Sequence, residues 1–220
     1  WFGTEGGLSR YDGTRFDNFT IRDGLIHDTV YSIHNDSDGV LWVGTERGVS
    51  RYDGKGFVNF TRLGGLSEAR VTAIRRDQEG ILWFATYGGL ARYDEKTFVT
   101  YTAADGLALN NVLASCAMPD GVVWLGTAGR GASRFDGRQF SNFSTADGLG
   151  GDWVLNIHRD ANGVVWFGTA TADPFNLSSL GRFSRYDPSL AQQTGQRFRT
   201  FGRNEGLNAG TAVYAIESAA

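Results

Sequence analysis

Cysteine, proline and long apolar runs are all scarce in this sequence of 220 residues. The single cysteine, Cys116, excludes an internal disulfide and leaves the redox compartment open. No apolar run approaches the roughly 20 residues that a membrane-spanning helix needs. The formal net charge of −3 argues against a dedicated nucleic-acid-binding protein, in which a basic patch is expected.

An initiator Met is also missing. The chain starts at Trp1, inside a repeat, so we expect the N-terminus not to be the native one. The lack of a signal peptide then carries no information. What the sequence does have is 31 glycines against 3 prolines, with 13% aromatic residues. This composition suits many short strands that are joined by tight turns and packed around an aromatic core.

Five tryptophans occupy the same place in five copies of one pattern, W-x-G/A-T. They are Trp1, Trp42, Trp83, Trp124 and Trp166, at intervals of 41, 41, 41 and 42 residues. A period near 40 residues with strand-like content is typical of a β-propeller.

Each copy is predicted to form four strands. The first carries V-x-x-I or a variant, the second W-x-G-T, the third ends in Arg and an aromatic residue, and the fourth reads F-x-x-F/Y. Turns such as Asp12-Gly13, Asp53-Gly54 and Asp136-Gly137 lie between the third and fourth strands. Asp-Gly pairs favour hairpins there because both residues tolerate positive φ.

The chain begins at a second strand and ends with a first strand, Val213 to Ile216. We therefore predict a single all-β domain over residues 1–220, a five-bladed β-propeller with four antiparallel strands per blade. The C-terminal strand would complete the first blade, and closure of the ring would remove exposed sheet edges. The alternative is a piece of a larger ring.

The repeats resemble the two-component regulator propeller repeat. Its pattern is nearly intact from Gly65-Leu66 through Val71, Ile74, Asp77 and Gly80 to Leu82–Thr86 and Gly89–Asp94. The resemblance covers essentially the whole chain except two insertions, near 170–181 and 188–196. It implies a propeller from the extracytoplasmic sensor region of hybrid histidine kinases, periplasmic or secreted, and often one that detects saccharides or other nutrients. Such sensors are larger than this chain, so the fold carries over better than the signalling role.

Residues that recur in every copy are assigned to packing. The turn from Asn35 to Gly39 looks like an acidic calcium loop, but the Glu that such a loop needs near its twelfth position is missing. His27, His34 and His158 form no metal-ligand motif. No nucleophile elbow or phosphate loop is present. We therefore predict no metal, no cofactor and no catalytic residue.

Differences between the copies indicate the functional positions. They concentrate just before strand one and just after the W-x-G-T threonine, two loops that share the mouth of the channel in a propeller. Trp153 and Tyr87 are candidates to stack on a sugar or another flat ligand. The polar candidates to orient that ligand are Arg47, Arg70, Asn111, Arg130 and Asp152. An apolar platform with a few convergent polar groups is typical of a small-ligand site, and the alternative is an ordinary solvated surface.

The insertion near 170–181 in the fifth copy would stand on the same face. It contains Phe175 and Leu177 and is a candidate lid, channel plug or protein contact. The insertion at 188–196 is predicted to be a mobile loop on the opposite face.

Three functions remain open. The first is a non-catalytic, monomeric module that binds a saccharide or another small polar ligand. The second is a protein-interaction platform that uses the 170–181 loop, and the third, weaker one is a lyase or hydrolase that uses acids such as Asp152.

Overall fold

The computed structural model describes residues 1–61, 66, 70–174, 180–207, 210 and 213. Within them, the chain forms nineteen strands in five antiparallel sheets, which confirms the all-β prediction. Each sheet corresponds to one sequence repeat, and the sheets are called blades 1 to 5 in chain order. The chain divides into two compact units, Trp1–Tyr101 with blades 1 to 3 and Thr102–Ala220 with blades 4 and 5.

The first unit contains three blades. Blade 1 consists of β1 (Phe2–Thr4), β2 (Gly7–Tyr11) and β3 (Phe16–Phe19). Blade 2 consists of β4 (Val30–Asn35), β5 (Leu41–Thr45), β6 (Gly48–Tyr52) and β7 (Phe57–Phe60). Blade 3 consists of β8 (Val71–Arg76), β9 (Leu82–Thr86), β10 (Gly89–Tyr93) and β11 (Phe98–Tyr101).

The second unit contains two blades. Blade 4 consists of β12 (Val112–Ala117), β13 (Val123–Thr127), β14 (Ala132–Phe135) and β15 (Phe140–Phe143). Blade 5 consists of β16 (Trp153–Arg159), β17 (Val165–Ala170), β18 (Gly181–Tyr186) and β19 (Phe198–Phe201). Short 3-10 turns follow the fourth strands at Ile21–Asp23, Ala103–Asp105, Thr145–Asp147 and Arg203–Glu205.

Strands in every blade pair in chain order, as expected for successive hairpins. In blades 2 to 5 the first strand has a bulge directly after its leading Val, for example between Val30 and Ser32. A bulge bends the strand and increases its twist. The threonine of W-x-G-T closes the next turn in blades 2 and 3, where Thr45 and Thr86 donate to the carbonyl oxygens of Gly48 and Gly89.

The tryptophan row packs between blades, as its recurrence predicts. Trp42 in blade 2 lies 5.8 Å from Phe84 and Tyr93 in blade 3, measured between ring centroids. In the second unit, Trp124 lies 5.1 Å from Phe167 of the next blade. Aromatic pairs at such separations add to the stabilisation from apolar burial. Blades 2 and 4 therefore complete their cores against the blade that follows them in the same unit.

One predicted strand falls largely outside the described residues. Of the strand Val213 to Ile216, only Val213 is described, so closure of the ring stays a prediction, as does the single domain. Blade 1 accordingly has three described strands. No helix among the described residues is long and apolar enough to cross a membrane.

The insertion at 188–196 contains short helical structure, and its mobility stays a prediction. Pro188–Leu190 forms a 3-10 turn, and α1 (Ala191–Thr194) follows it. Asp187 caps this segment, because its Oδ1 accepts hydrogen bonds from the backbone and the hydroxyl of Ser189. A side-chain acceptor at a helical N-terminus satisfies donors that would otherwise lack a partner, and this local signal is readable in the sequence.

Candidate functional site

The candidate residues lie at one edge of each blade, which we call the variable edge. It comprises the start of the first strand and the turn between the second and third strands. In blades 2, 3 and 4 a backbone hydrogen bond joins these two parts: Glu46 to Thr29, Tyr87 to Arg70 and Ala128 to Asn111, at 3.0, 3.1 and 3.1 Å. The predicted proximity of the two loops is therefore confirmed within each of these blades.

In the first unit, Arg70 is the centre of a cluster with Tyr31, Glu46 and Tyr87. The guanidinium forms a bidentate pair with Glu46: its Nε–H donates a hydrogen bond to Oε2 at 2.9 Å, and its Nη2 donates one to Oε1 at 3.1 Å. Its Nη1 donates to the Tyr87 hydroxyl at 2.9 Å, and the Tyr31 hydroxyl donates to Glu46 Oε2 at 2.7 Å. We call this set the Arg70 cluster, and it joins blade 2 to blade 3.

The two tyrosine rings of the Arg70 cluster hold the guanidinium between them. Arg70 Cζ lies 4.8 Å from the centroid of Tyr31 and 4.5 Å from that of Tyr87. Contacts of this kind stabilise a cation over an aromatic face. Both rings remain open to solvent, with Tyr31 44% and Tyr87 37% exposed. The cluster therefore presents two oriented aromatic rings at the surface.

The cluster holds its central acid ionised. Burial pushes the pKa of Glu46 upward, but hydrogen bonds from Tyr31 and Arg70, together with the charge of Arg70, outweigh it and lower that pKa. Burial and the hydrogen bond to Glu46 raise the pKa of Tyr31. An ionised carboxylate already bonded to two donors is poorly suited to act as a general acid. The arrangement fits recognition better than proton transfer.

Sequence reasoning found two members of the Arg70 cluster, Arg70 and Tyr87, and missed Tyr31 and Glu46. A signal was present, because Tyr31 is aromatic at a repeat position where three other copies have Thr72, Leu113 and Leu155 and one has Tyr214. Arg47 follows Glu46 but does not join the cluster. Its side chain is exposed, and its backbone N–H donates to Thr45 Oγ1.

In the second unit, Trp153 begins β16 and lies against the turn of blade 4. Its backbone bridges to Ala128, and the carbonyl of Asp152 accepts hydrogen bonds from Gly129 and Gly131 at 3.1 and 2.7 Å. A Cβ on Gly129 would lie 3.3 Å from the indole Nε1. The indole is therefore packed against this turn, and it remains partly exposed.

Asn111 lies on the other side of the same turn. Its carbonyl oxygen accepts the hydrogen bond from Ala128, whereas its side-chain Oδ1 is buried and has no partner among the described residues. A buried acceptor without a donor costs about 1–3 kcal/mol, so it favours a ligand or water that donates to it. Arg130 is exposed, and its backbone N–H donates to Thr127 Oγ1.

Asp152 has a different role from the one predicted. Its Oδ1 accepts a hydrogen bond from the backbone of Thr145 at 2.8 Å, and its Oδ2 accepts one from the Thr145 hydroxyl at 3.3 Å. Asp28 and Asn110 make the same bond to the 3-10 turns before their own blades. The side chain thus organises the preceding turn, and both of its oxygens already accept hydrogen bonds there. The recurrence of Asp or Asn at this position was the signal for a structural role.

The predicted partner loop is described only at its base. Phe175 and Leu177 lie outside the described residues. The base is closed by two hydrogen bonds, from the backbone N–H of Thr171 to the Leu180 carbonyl and from the Leu180 N–H to Thr171 Oγ1. Over the described part of the chain, no group of three or more His, Cys, Asp or Glu residues is arranged to hold a metal ion.

Three segments, residues 24–47, 65–88 and 148–171, match the family model of the two component regulator propeller. The chain therefore contains three copies of the two-component regulator propeller repeat. Each matched segment runs from a Gly-Leu loop through the first two strands of a blade and ends in its variable edge. The resemblance inferred from the sequence is thus confirmed.

Solved structures with the same fold come from several proteins. Two of them are extracellular domains of putative hybrid two component systems of B. thetaiotaomicron. The domain of BT4673 is 24% identical to this chain with a TM-score of 0.63, and the domain of BT3049 is 19% identical with a TM-score of 0.64. The matches cover 77% and 96% of this chain but only 24% and 33% of those domains. Virginiamycin B lyase from Staphylococcus aureus is 14% identical with a TM-score of 0.57, over 79% of this chain and 55% of the lyase. No curated protein matches. At these identities the likeness shows the fold alone.

Proposed function

We propose that this chain is a non-catalytic, ligand-binding propeller module of the sensor type, which acts outside the cytoplasm. The family of its repeats and the likeness to extracellular domains of two-component systems support this proposal. The ligand is a saccharide or another small polar molecule that is bound at the variable edge.

The Arg70 cluster is the observation that carries this proposal. A sugar has apolar C–H faces, which stack on aromatic rings, and hydroxyl groups, which hydrogen-bond to charged side chains. Tyr31 and Tyr87 offer the rings, and Arg70 and Glu46 offer fixed donors and acceptors beside them. Because the cluster is held by its own hydrogen bonds, its side chains lose little conformational freedom when a ligand binds.

The variable edge of the second unit offers similar chemistry in different residues. Trp153 supplies a partly exposed indole, and Asn111 supplies a buried acceptor without a described partner. We propose that these two residues also contact ligand. Arg47 and Arg130 are exposed at the same edges and supply positive charge that attracts the acidic members of the ligand class.

We further propose that the five blades close into one ring, completed by the strand that starts at Val213. The glycine of W-x-G-T in one blade lies against the leading Val of the next blade's first strand. A Cβ on Gly44, Gly126 or Gly168 would lie within 3.1 Å of Val71, Val154 or Val213 respectively. Val213 thus occupies the position of a first-strand Val, which supports its assignment to the blade that follows blade 5.

A saccharide-array screen of the whole chain tests the ligand proposal. We expect at least one glycan to bind, and Tyr87→Ala to weaken that binding about tenfold or more, because stacking on an aromatic ring contributes on the order of a kcal/mol or more. Tyr11→Ala is the matched control, since Tyr11 is a 49% exposed tyrosine away from the variable edge. An array with no binding, or equal losses in both variants, would contradict the proposal.

Light scattering on the same sample tests closure. In a closed ring the strand that starts at Val213 covers the open edge of β1, so a monomer is expected, whereas an uncovered edge favours association. A defined oligomer would contradict the closed five-bladed ring without affecting the result of the array.

A further inference from the structure

A cavity of about 310 Å³ lies between blades 2 and 3, at the end of the strands opposite the variable edge. It is lined by the turn between β4 and β5 and by the turn between β10 and β11, and the whole of it belongs to the first unit. We call it the Glu95 cavity. The lining residues that matter to its chemistry are Asp36, Asp38, Trp42, Arg51, Arg76 and Glu95.

One wall of the Glu95 cavity is a fixed and neutralised ion pair. Arg76 donates two hydrogen bonds to Asp36, from Nε to Oδ1 and from Nη2 to Oδ2, both at 2.8 Å. The indole N–H of Trp42 donates to the same carboxylate at 2.9 Å, and the Asp36 side chain is only 5% exposed. These two charges satisfy each other, so the charge available to a ligand must come from the other lining residues.

Arg51 supplies the available positive charge. Its guanidinium lies over the Trp42 ring, 6.0 Å from the centroid, and no carboxylate lies within 4.0 Å of it among the described residues. The equivalent arginines of blades 1, 3 and 5 are each paired, as Arg10 with Asp17, Arg92 with Asp94 and Arg185 with Asp187. Blade 2 thus has a guanidinium in the cavity that is free to bind the carboxylate of a ligand.

Glu95 supplies negative charge from a strained backbone. Its φ is 70°, and it is the only non-glycine residue with positive φ among those described. The same turn position is Gly13, Gly54 and Gly137 in blades 1, 2 and 4. Strain of this kind is retained where a side chain has a function that offsets it. The Glu95 side chain is 68% exposed, and its Oε1 has one long contact, 3.5 Å to Nη1 of Arg76, which leaves its other oxygen for a ligand. Asp38 adds a second exposed carboxylate to the lining.

We propose that the Glu95 cavity binds a small zwitterion of the free amino acid class, independently of the saccharide site. The ligand carboxylate pairs with Arg51, and the ligand ammonium group is held by Glu95 and Asp38. The edge of Trp42 and the ring of Tyr93, which also line the cavity, contact the carbon atoms of the ligand. The cavity volume matches the lower end of the range found for small-molecule sites.

Calorimetric titration of the whole chain tests this proposal. The probes are L-alanine and L-glutamine as zwitterions, with acetate and methylamine as ligands that carry one charge each. We expect a zwitterion to bind at least about tenfold more tightly than either single-charge probe, because only the zwitterion pairs with both kinds of side chain. Arg51→Gln and Glu95→Gln should each weaken that binding about tenfold or more.

Arg10→Gln is the matched control, because Arg10 lies 5.9 Å from the centroid of Trp1 just as Arg51 lies over Trp42. The Arg10→Gln variant should bind the zwitterion with the same affinity as the unmodified chain. Glu95→Gly separates binding from folding, since it should raise the melting temperature while binding is lost. Absence of saturable binding by both zwitterions, acetate binding as tight as theirs, or undiminished affinity in Arg51→Gln would overturn the proposal.

Discussion

At the scale of single residues, the Asp that follows the first strand has different hydrogen-bond partners in different blades. The Asp that ends the V-x-x-I-x-x-D pattern accepts a hydrogen bond from the tryptophan of its own blade in blades 2, 3 and 5, at 2.9, 2.7 and 2.9 Å. The carboxylate of Asp36 in blade 2 also accepts hydrogen bonds from Nε and Nη2 of Arg76. It lies 3.1 Å from Nε2 of His34. The turn that resembles a calcium loop is thus a hairpin turn, as predicted, whose first carboxylate joins two blades.

Asp36→Asn should destabilise the fold markedly. The amide that replaces one carboxylate oxygen points a donor at Arg76 or Trp42 and leaves the guanidinium without its counter-charge. Removing one partner of a buried pair costs about 3–5 kcal/mol, and because the Arg76 side chain is 27% exposed we expect about 2–3 kcal/mol. Urea unfolding at neutral pH measures the change.

Asp38→Asn is the control for that substitution, since Asp38 lies on the same turn and is exposed. It should change the free energy of unfolding by less than about 0.5 kcal/mol. If both variants lost the same amount, the Asp36 pair would not be the interaction that stabilises this interface.

At the scale of elements, the spacing between neighbouring blades is set by the glycine of W-x-G-T. In the second unit, a Cβ on Gly126 would lie 2.6 Å from both the carbonyl oxygen and Cγ1 of Val154 in the next blade. Carbon atoms pack at about 3.5–4.0 Å, so the first strand of blade 5 occupies the space that a side chain would need. Blade 3 has Ala85 at this position, and it is fully buried.

Gly126→Ala should therefore force blade 5 away from blade 4. Overpacking of a well-packed core costs about 1–3 kcal/mol, and thermal or urea unfolding measures the loss. Gly56→Ala is the control, because a Cβ there meets nothing within 4 Å. Equal stability of the two variants would show that the blades can separate without cost.

At the scale of the whole molecule, the turns hold their acids ionised. The pKa of Asp12 is lowered from 3.8 to about 2. The main cause is a hydrogen bond from the Thr14 hydroxyl, and backbone hydrogen bonds from Arg15 and Thr14 add to it. Backbone hydrogen bonds within the same kind of turn lower the pKa values of Asp53, Asp94 and Asp136. Burial lowers the pKa of His34 against the opposing effect of Asp36. These shifts act together because the turn is repeated in several blades.

The chain should consequently lose stability as the solution is acidified. An acid with a lowered pKa in the folded state stabilises the fold above its unfolded pKa and loses that contribution as the pH falls toward the folded pKa. For Asp12 that window runs from 3.8 down to about 2. His34 acts in the same direction, because the unfolded state takes up its proton first as the pH falls below 6.5.

Urea unfolding at a series of pH values checks this expectation. The free energy of unfolding should decline slightly below about pH 6.5 and steeply below about pH 4. Asp12→Asn should make the steep part shallower, because one group leaves the set. A stability that rises on acidification would contradict the assigned directions.

Much of this protein follows from its sequence by itself. Alternating apolar residues, Asp-Gly turns and the 41-residue period predict the four strands of each blade and their order. They also predict tryptophans packed between blades. These features are predictable because each depends on residues close together in the sequence. The variable edge is predictable for the same reason, since the copies differ there in Arg70, Tyr87, Asn111 and Trp153.

Only the tertiary structure decided which of those residues meet. Glu46 and Tyr31 hold Arg70 across two blades, and Arg51 and Glu95 line one cavity. No repeat pattern specifies these contacts, because each joins residues that are far apart in sequence and differ from their counterparts in the other blades. They depend on how one blade packs on the next, and that packing sets which unlike side chains come within reach of one another.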